Sequence, residues 1–223
     1  MAGNPIRWIP FPLLLLAACT TTTASRARAR SDAASRLPAI HTAALLSLDV
    51  KEYEVSAGGV AEFKEEWSSA AQKALETALV DQFRSHRIEL RRIEPGPDTA
   101  EEVNDLRALT QAVNSSVVQF PRKEFDYSLG PVAPLAERYG VDALVFVWAR
   151  GRLVTGGRKF VAALSGTGET DAGQVTITIV DRSGDVLWFN TRGRRGDRAD
   201  LRFGESAAEL MQAMVSDLPL APK

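Results

Sequence analysis

The chain has 223 residues, of which 45% are hydrophobic and 25% are charged, and its formal net charge is -1. These values are typical of a globular protein and exclude a fibrous or disordered chain, and the near-zero charge argues against a nucleic-acid binder. One cysteine excludes a disulfide framework and a cysteine-based zinc site, and two histidines offer little for metal or acid–base chemistry. The composition predicts one domain without a cofactor and favours a protein that is not an enzyme.

The N-terminus carries an apolar run over residues 8–18. A run of about ten apolar residues is too short to span a membrane, which takes about 20, but it fits the central region of a secretory signal peptide. The sequence therefore predicts a signal peptide over residues 1–18.

The tetrad Leu16-Ala17-Ala18-Cys19 resembles the lipobox of bacterial lipoproteins. The resemblance implies cleavage before Cys19 and acylation of this residue, so that the first partner is a lipid bilayer, because two or more acyl chains hold a protein on a membrane stably. It also implies the outer membrane, because position 20 is Thr rather than Asp. The alternative is a lone buried cysteine that follows a leucine run.

Residues 19–40 have the composition of a flexible tether. They are rich in Thr, Ala, Ser and Arg, and such a segment cannot bury a core of its own. Its arginines either contact anionic lipid headgroups or are simply solvated. They are Arg26, Arg28, Arg30 and Arg36. The sequence therefore predicts a single folded domain over residues 41–223.

The first half of this domain alternates strands and helices. Residues 43–53 predict a strand, and apolar side chains at three- and four-residue steps predict a long helix over about 60–85. Residues 87–93 alternate apolar and polar side chains, which predicts a second strand. Asp98 and Glu101 have the spacing of a capping box, which predicts the start of a second helix.

In the second half, residues 119–131 are predicted to be irregular and residues 134–139 to form a short helix. The apolar run 142–149 predicts a strand covered on both faces. Residues 175–189 predict a hairpin around a Ser-Gly turn, and a last helix is expected over about 204–217. The fold class is therefore α/β: a mixed β-sheet covered by helices, in the order strand, helix, strand, helix, β-meander and C-terminal helix.

This order resembles a family of bacterial lipoprotein domains typified by the curli-secretion lipoprotein CsgG and the penicillin-binding-protein activator LpoB. The resemblance rests on the lipobox with its tether, on the short helix and covered strand over 135–145, and on the hairpin over 175–188. It implies a non-enzymatic role in the cell envelope: binding a partner protein, activating a wall synthase or building a secretion ring. Residues 151–173 are too short and too charged for the membrane-spanning hairpins of the curli exporter, and residues 20–38 reach at most about 65 Å, short for an activator.

Two groups of side chains are candidates for partner contacts. An arginine-rich segment after the last strand either meets an acidic protein, lipid headgroups or wall polymer, or is a solvated loop. Its members are Arg192, Arg194, Arg195 and Arg198. The second group is aromatic, lies in the irregular segment and predicts an exposed apolar contact. It consists of Phe125 and Tyr127, together with Phe120.

Other motifs are expected to be structural. The tryptophans of the domain fall inside predicted elements and are expected in the core. They are Trp67, Trp148 and Trp188. The run 156–159 (Gly-Gly-Arg-Lys) predicts either a small anion site or, more commonly for such residues, a flexible loop.

Together these observations predict an outer-membrane lipoprotein that is anchored in the lipid bilayer through Cys19 and faces the periplasm. Its domain is expected to bind another envelope protein, without catalysis and without nucleic acid. The alternatives are a self-assembling homo-oligomer and an envelope hydrolase that uses carboxylates. The carboxylate candidates are Asp98, Glu101, Asp142 and Asp185.

Overall fold

The computed structural model describes residues 26–120 and 125–219. The strands are β1 (Arg28–Ala29), β2 (Thr42–Val55), β3 (Ala61–Phe63), β4 (Glu89–Arg92), β5 (Ala143–Val154), β6 (Ala172–Asp181) and β7 (Val186–Arg195). The helices are α1 (Ala33–Arg36), α2 (Glu65–Ser85), α3 (Ala100–Gln119), α4 (Ala133–Tyr139), α5 (Gly156–Ser165) and α6 (Gly204–Val215). Short 3₁₀ turns follow α1 and β7, at Leu37–Ala39 and Gly196–Ala199. Within the described ranges, no helix has both the length and the apolar composition of a membrane span.

The strands of the described residues form one mixed sheet in the order β1-β7-β6-β5-β2-β3, and β4 pairs with the first half of β2. β5, β6 and β7 form an antiparallel meander, whereas β2 lies parallel to both β4 and β5. Parallel neighbours need crossover connections, which α2 provides between β2 and β4, and α3 with α4 provides between β4 and β5. The predicted α/β class and its order of elements are confirmed.

Helices pack on both faces of this sheet. On the first face, α1, α2 and α6 cover a large apolar core that includes Phe83, Ile177 and Trp188. On the second face, α3 and α4 cover the N-terminal half of β5 around Leu144 and Phe146, whereas the following residues of that face are half-exposed. Since β2, β5 and β7 run in one direction, they end together, at what we call the carboxyl end of the sheet.

The predicted helix over residues 60–85 is shorter than expected. Gly59, with a φ of 83°, closes a tight turn after β2, and the chain returns beside β2 as β3 before α2 begins at Glu65. Val60 and Phe63, which the periodicity placed on the buried stripe, are therefore exposed. The stripe itself is buried from Ala71 onward, as predicted.

Residues 26–40 are folded onto the sheet, so this part of the predicted tether belongs to the domain. β1 pairs with β7 at Phe189 and Trp188, and the next two elements bury Ala33 and Leu37 in the core. The composition did not reveal this, because only a few apolar side chains hold the segment and their partners are far away in sequence. The domain boundary predicted at residue 41 lies inside the folded unit.

The arginines of this segment contact carboxylates of the domain. Arg36 forms ion pairs with Asp181 and Asp185 at the turn between β6 and β7, and Arg30 pairs with Asp126. The guanidinium groups of these two arginines are therefore paired within the domain, and neither of the two alternatives that the sequence left open included such pairing.

Two local predictions were also wrong. Thr99 is the N-cap of α3, and its hydroxyl donates to the Gly96 carbonyl, so the spacing of Asp98 and Glu101 does not make a capping box. The run 156–159 is not a loop but the first turn of α5, where Thr155 accepts a hydrogen bond from the Arg158 amide.

Candidate functional site

A groove crosses the half-exposed part of the second face, between α3 and the strands β2, β5 and β6. It consists of two cavities of about 480 and 330 Å³, and both are lined by Gln111 and Trp148. A shared wall makes the two cavities one elongated groove rather than two separate sites. The other polar side chains along it include Asn104, Arg107, Asn114, Arg150, Gln174 and Thr176.

One end of the groove is shaped by a β-bulge in β2. The register of β2 against β5 shifts between Leu45 and Ser47, which leaves Leu46 as the extra residue. The Leu46 carbonyl accepts hydrogen bonds from Arg107 of α3, at 2.5 Å from Nη2 and 3.2 Å from Nε. The bulge therefore fixes α3 against the strand and positions a guanidinium group in the groove wall.

The middle of the groove holds an aromatic ring beside a salt bridge. Trp148 is half-exposed and stacks on the buried ring of Phe146, with centroids 6.2 Å apart and an interplanar angle of 13°. Next to it, Arg150 Nη2 lies 2.5 Å from Asp49 Oδ2, and Nη1 donates to the Asp49 carbonyl at 2.9 Å. These contacts hold the ring and the charges in fixed positions.

Neutral polar side chains complete the other end. Asn114 of α3 accepts a hydrogen bond from the Thr178 hydroxyl at 2.8 Å, which ties the helix to β6. Gln174 and Thr176 on β6 each contact the Thr191 hydroxyl of β7 at 2.9 Å. The groove thus presents amides, hydroxyls, paired charges and one aromatic face, and this set suits non-covalent recognition of a polar ligand surface.

The four arginines that the sequence predicted as a partner contact lie in β7 and in the 3₁₀ turn that follows it. The arginine-rich segment is therefore not a loop. Arg192 and Arg194 belong to β7, and Arg194 forms a salt bridge with Glu209 of α6 at 3.1 Å. Arg198 lies 3.5 Å from the same carboxylate, and its side chain is 69% exposed. Arg195 is exposed at the end of β7. Two of the four therefore remain available to a partner.

The predicted aromatic contact is wrong for Phe125, which is 7% exposed and belongs to the core of the second face. Tyr127 is half-buried, packs edge-on against Phe125 at 5.4 Å and has its hydroxyl 3.3 Å from Ser116. Phe120, in contrast, is 61% exposed at the end of α3. Residues 125–132 are irregular in conformation, but their apolar side chains Phe125, Leu129 and Val132 are buried in the core of the second face.

The tryptophans also occupy different environments from one another. Trp188 is fully buried, as predicted. Trp148 lines the groove, and Trp67 is half-buried beneath the guanidinium of Arg202, which lies 4.2 Å from the ring centroid. Full burial in the core is therefore confirmed for Trp188, whereas Trp148 packs against the core of the second face while only partly buried, and Trp67 is half-buried.

The carboxylates that the sequence singled out are engaged separately. Asp98 pairs with Arg138 at 3.1 Å, and Glu101 is exposed in the first turn of α3. Asp142 is partly buried, but hydrogen bonds from the His41 and Thr42 amides lower its pKa. Asp185 is also partly buried, and its bonds with Arg36 and the charge of Arg30 lower its pKa. Asp98, Asp142 and Asp185 are therefore engaged in ion pairs or hydrogen bonds that stabilise the fold.

Sequence reasoning missed Glu52. This side chain is fully buried, and neither carboxylate oxygen has a hydrogen-bond partner among the described residues. Burial and the negative charge of Asp200 raise its pKa to about 7, although Arg202 opposes the shift. The signal was present in the alternation of β2, since residue 52 follows Leu48 and Val50 on the core-facing side.

No family model and no curated protein matches this chain. Among solved structures, it is similar to the PelC dodecamer from Paraburkholderia phytofirmans, with 15% sequence identity and a TM-score of 0.43 over 90% of this chain and 98% of that chain. A single-substitution variant of the same PelC dodecamer gives 14% identity and a TM-score of 0.41 over 89% of this chain and 98% of that one. Elements superpose only in part at such TM-scores, so these structures assign no function to this chain.

Proposed function

We propose that this chain is an envelope lipoprotein, acylated at Cys19, whose domain binds another envelope protein through the groove beside α3. The lipobox-like tetrad supports the anchor, and Cys19 lies outside the described residues. The first described residue, Arg26, is already hydrogen-bonded to β7, so the domain begins close to the anchor in sequence. The proposal includes no catalytic step.

The observation that carries the binding role is the composition of the groove and its rim. The charged groups along it already have partners within the domain, as Arg107 and Arg150 illustrate, so the surface is preorganised and contains matched donors and acceptors. Val118 of α3 lines one of the two cavities and is 38% exposed, and an apolar contact among polar ones is typical of protein interfaces.

The test places a photo-crosslinking amino acid at position 111 of the full-length protein in its native envelope. We expect one specific protein adduct from position 111, identified by mass spectrometry, and its loss when Trp148→Ala is added. The matched control is position 73, because Lys73 is exposed on α2 on the opposite face. Adducts that contain only this chain would replace the proposal by a self-assembling homo-oligomer. Equal adducts from both positions would contradict a specific groove.

The anchor is tested separately. Mass spectrometry of the purified protein should find an N-terminal Cys19 carrying acyl chains, and Cys19→Ala should release the protein into the soluble periplasmic fraction. An unmodified Cys19 in a membrane-bound protein would contradict the proposal.

A carboxylate-dependent hydrolase is the second candidate, and Glu52 favours it. A carboxylate with a pKa near 7 suits general acid–base catalysis. A cavity of about 210 Å³ at the carboxyl end of the sheet is lined by Asp171, Asp200 and Trp67. An envelope-polymer hydrolysis that disappears in Glu52→Gln, with the fold retained, would favour this function over the binding role.

A further inference from the structure

Helix α5 presents an apolar face to its surroundings. Phe160, Val161 and Leu164 lie on this face and are 65%, 42% and 74% exposed, whereas Ala162 on the other side is buried against the domain. The helix is held in place by its polar residues, since Lys159 Nζ lies 2.8 Å from Asp171 Oδ2. A ten-residue helix with this arrangement has the pattern of an amphipathic helix at a membrane interface.

Other exposed apolar side chains lie at the same end of the molecule. Val60 is in the turn that follows β2, Phe63 is in β3, and Phe203 precedes α6. With the three residues of α5, these make six of the nine large apolar side chains that the described residues expose, and all six lie near the carboxyl end of the sheet. Such a concentration on one end marks an interaction surface.

The direction of the chain brings the anchor to this same end. The Arg26 amide donates to the Thr191 carbonyl at 3.0 Å, and β1 runs antiparallel to β7. Followed backwards from Arg28, the chain therefore runs along β7 towards the carboxyl end. Cys19 precedes Arg26 by seven positions, which allows a reach of at most about 25 Å.

We infer that the carboxyl end of the sheet docks on the lipid bilayer that holds the Cys19 anchor, with Phe160, Val161 and Leu164 inserted among the lipid headgroups. The inference rests on the acylation that we propose for Cys19. The short reach to the anchor identifies the occupant as the bilayer, because it holds this apolar surface next to lipid. Arg195 is exposed at the same end, and its charge adds attraction to anionic headgroups.

The arrangement also orients the groove. Trp148 lies on β5 six residues before the strand ends at Val154, on the flank of the sheet rather than at its carboxyl end. With the carboxyl end on the bilayer, the groove opens sideways, and a partner in the periplasm reaches it without crossing the lipid surface.

Site-directed spin labelling of the full-length acylated protein tests this orientation. Cys19 is the only cysteine, and acylation blocks its thiol, so a single introduced cysteine provides one labelling site. The variants are Phe160→Cys and Leu164→Cys, and the matched control is Leu109→Cys on α3, which is also exposed. The proteins are reconstituted into vesicles of phosphatidylethanolamine and phosphatidylglycerol, and accessibility to oxygen and to a water-soluble nickel complex is measured by power saturation.

We expect labels at positions 160 and 164 to show an oxygen-to-nickel accessibility ratio several-fold higher than the label at position 109. Vesicle-bound protein with equal ratios at the three positions would overturn the docking while leaving the anchor intact. Protein that does not float with the vesicles would overturn the anchor, and with it the docking. Circular dichroism of each variant checks that the fold is retained.

Discussion

In the sheet, the carboxylate of Glu52 lies directly against Gly151 and fills the space that a Cβ on residue 151 would occupy. The two residues are opposite each other on β2 and β5, so the pairing between these parallel strands positions a buried acid over a glycine. On the next strand, a Cβ at Gly173 would come within 2.6 Å of the Ala199 carbonyl oxygen. The two glycines thus make room for the Glu52 side chain and for the turn after β7.

The first prediction concerns this space. Gly151→Ala places a Cβ against the Glu52 carboxylate, and overpacking of this kind costs about 1–3 kcal/mol in the free energy of unfolding. Urea denaturation followed by circular dichroism measures the loss. Adding Glu52→Ala should restore part of it, because the clashing atoms are removed. Gly204→Ala is the control, since a Cβ there meets nothing within 4 Å, and we expect no loss from it.

The second prediction concerns the pH dependence of stability. The pKa of Glu52 rises from 4.5 to about 7 on folding, so the folded protein binds more protons than the unfolded chain between these values. The contribution of Glu52 to the free energy of unfolding is therefore fully present below pH 4.5. It falls by about 3 kcal/mol as the pH rises from 4.5 through 7. Asp142 and Asp185 do not mask this fall, because their lowered pKa values keep them ionised throughout.

Glu52→Gln removes the ionisation and tests this dependence. The compared quantity is the free energy of unfolding of the variant minus that of the natural protein. We expect this difference to be more positive at pH 8, where the natural protein must bury a charged Glu52, than at pH 5. Urea titrations at the two pH values supply the comparison. An identical difference at both values would mean that Glu52 does not titrate in this range.

The third prediction concerns the segment before β2. Arg36 connects Asp181 and Asp185 across the turn between β6 and β7, and its side chain is 26% exposed. Arg36→Ala removes the ion pairs of Arg36 with both carboxylates and should lower the free energy of unfolding by about 1–3 kcal/mol. Arg84→Ala is the matched control, because the pair with Asp81 is 73% and 59% exposed and contributes at most about 1 kcal/mol. Equal effects of the two variants would argue that residues 26–40 do not belong to the folded unit.

The fourth prediction separates two phenylalanines that are close in sequence. Phe125 is buried in the core of the second face, so Phe125→Ala should lower the free energy of unfolding by about 3–5 kcal/mol. Phe120 is 61% exposed, and Phe120→Ala should change stability by no more than about 0.5 kcal/mol. Thermal unfolding of both variants distinguishes them, and a neutral Phe125→Ala would return that ring to the surface, as the sequence suggested.

The sequence was most informative where the signal is local. The buried stripe from Ala71 onward, the covered strand around Val145 and the hairpin at 182–185 all follow from the spacing of apolar side chains and from turn residues. Such patterns depend on neighbours a few positions away, and they gave the mixed α/β architecture correctly. The lipobox-like tetrad at Cys19 is local in the same sense, and it remains a prediction.

The candidate site depended on contacts between distant parts of the chain. Trp148 looked like a core residue, because the sequence does not show that α3 stops short of covering the second half of β5. Phe125 looked exposed for the opposite reason, since an irregular segment is buried when it crosses an apolar face. In both cases burial is a property of the assembled layers and cannot be read from the neighbouring residues.

By itself, the sequence determined the order of the main strands and helices, because periodicity and turn chemistry act over a few residues, whereas it missed β1, α1, β3 and α5. Only the tertiary structure decided which charges are paired and which are buried. Arg36 finds its carboxylates about 145 positions away, and Glu52 is enclosed because Gly151 leaves room for it on the next strand. The physical reason is that strand register and layer packing, which are long-range, set the environment of each ionisable group.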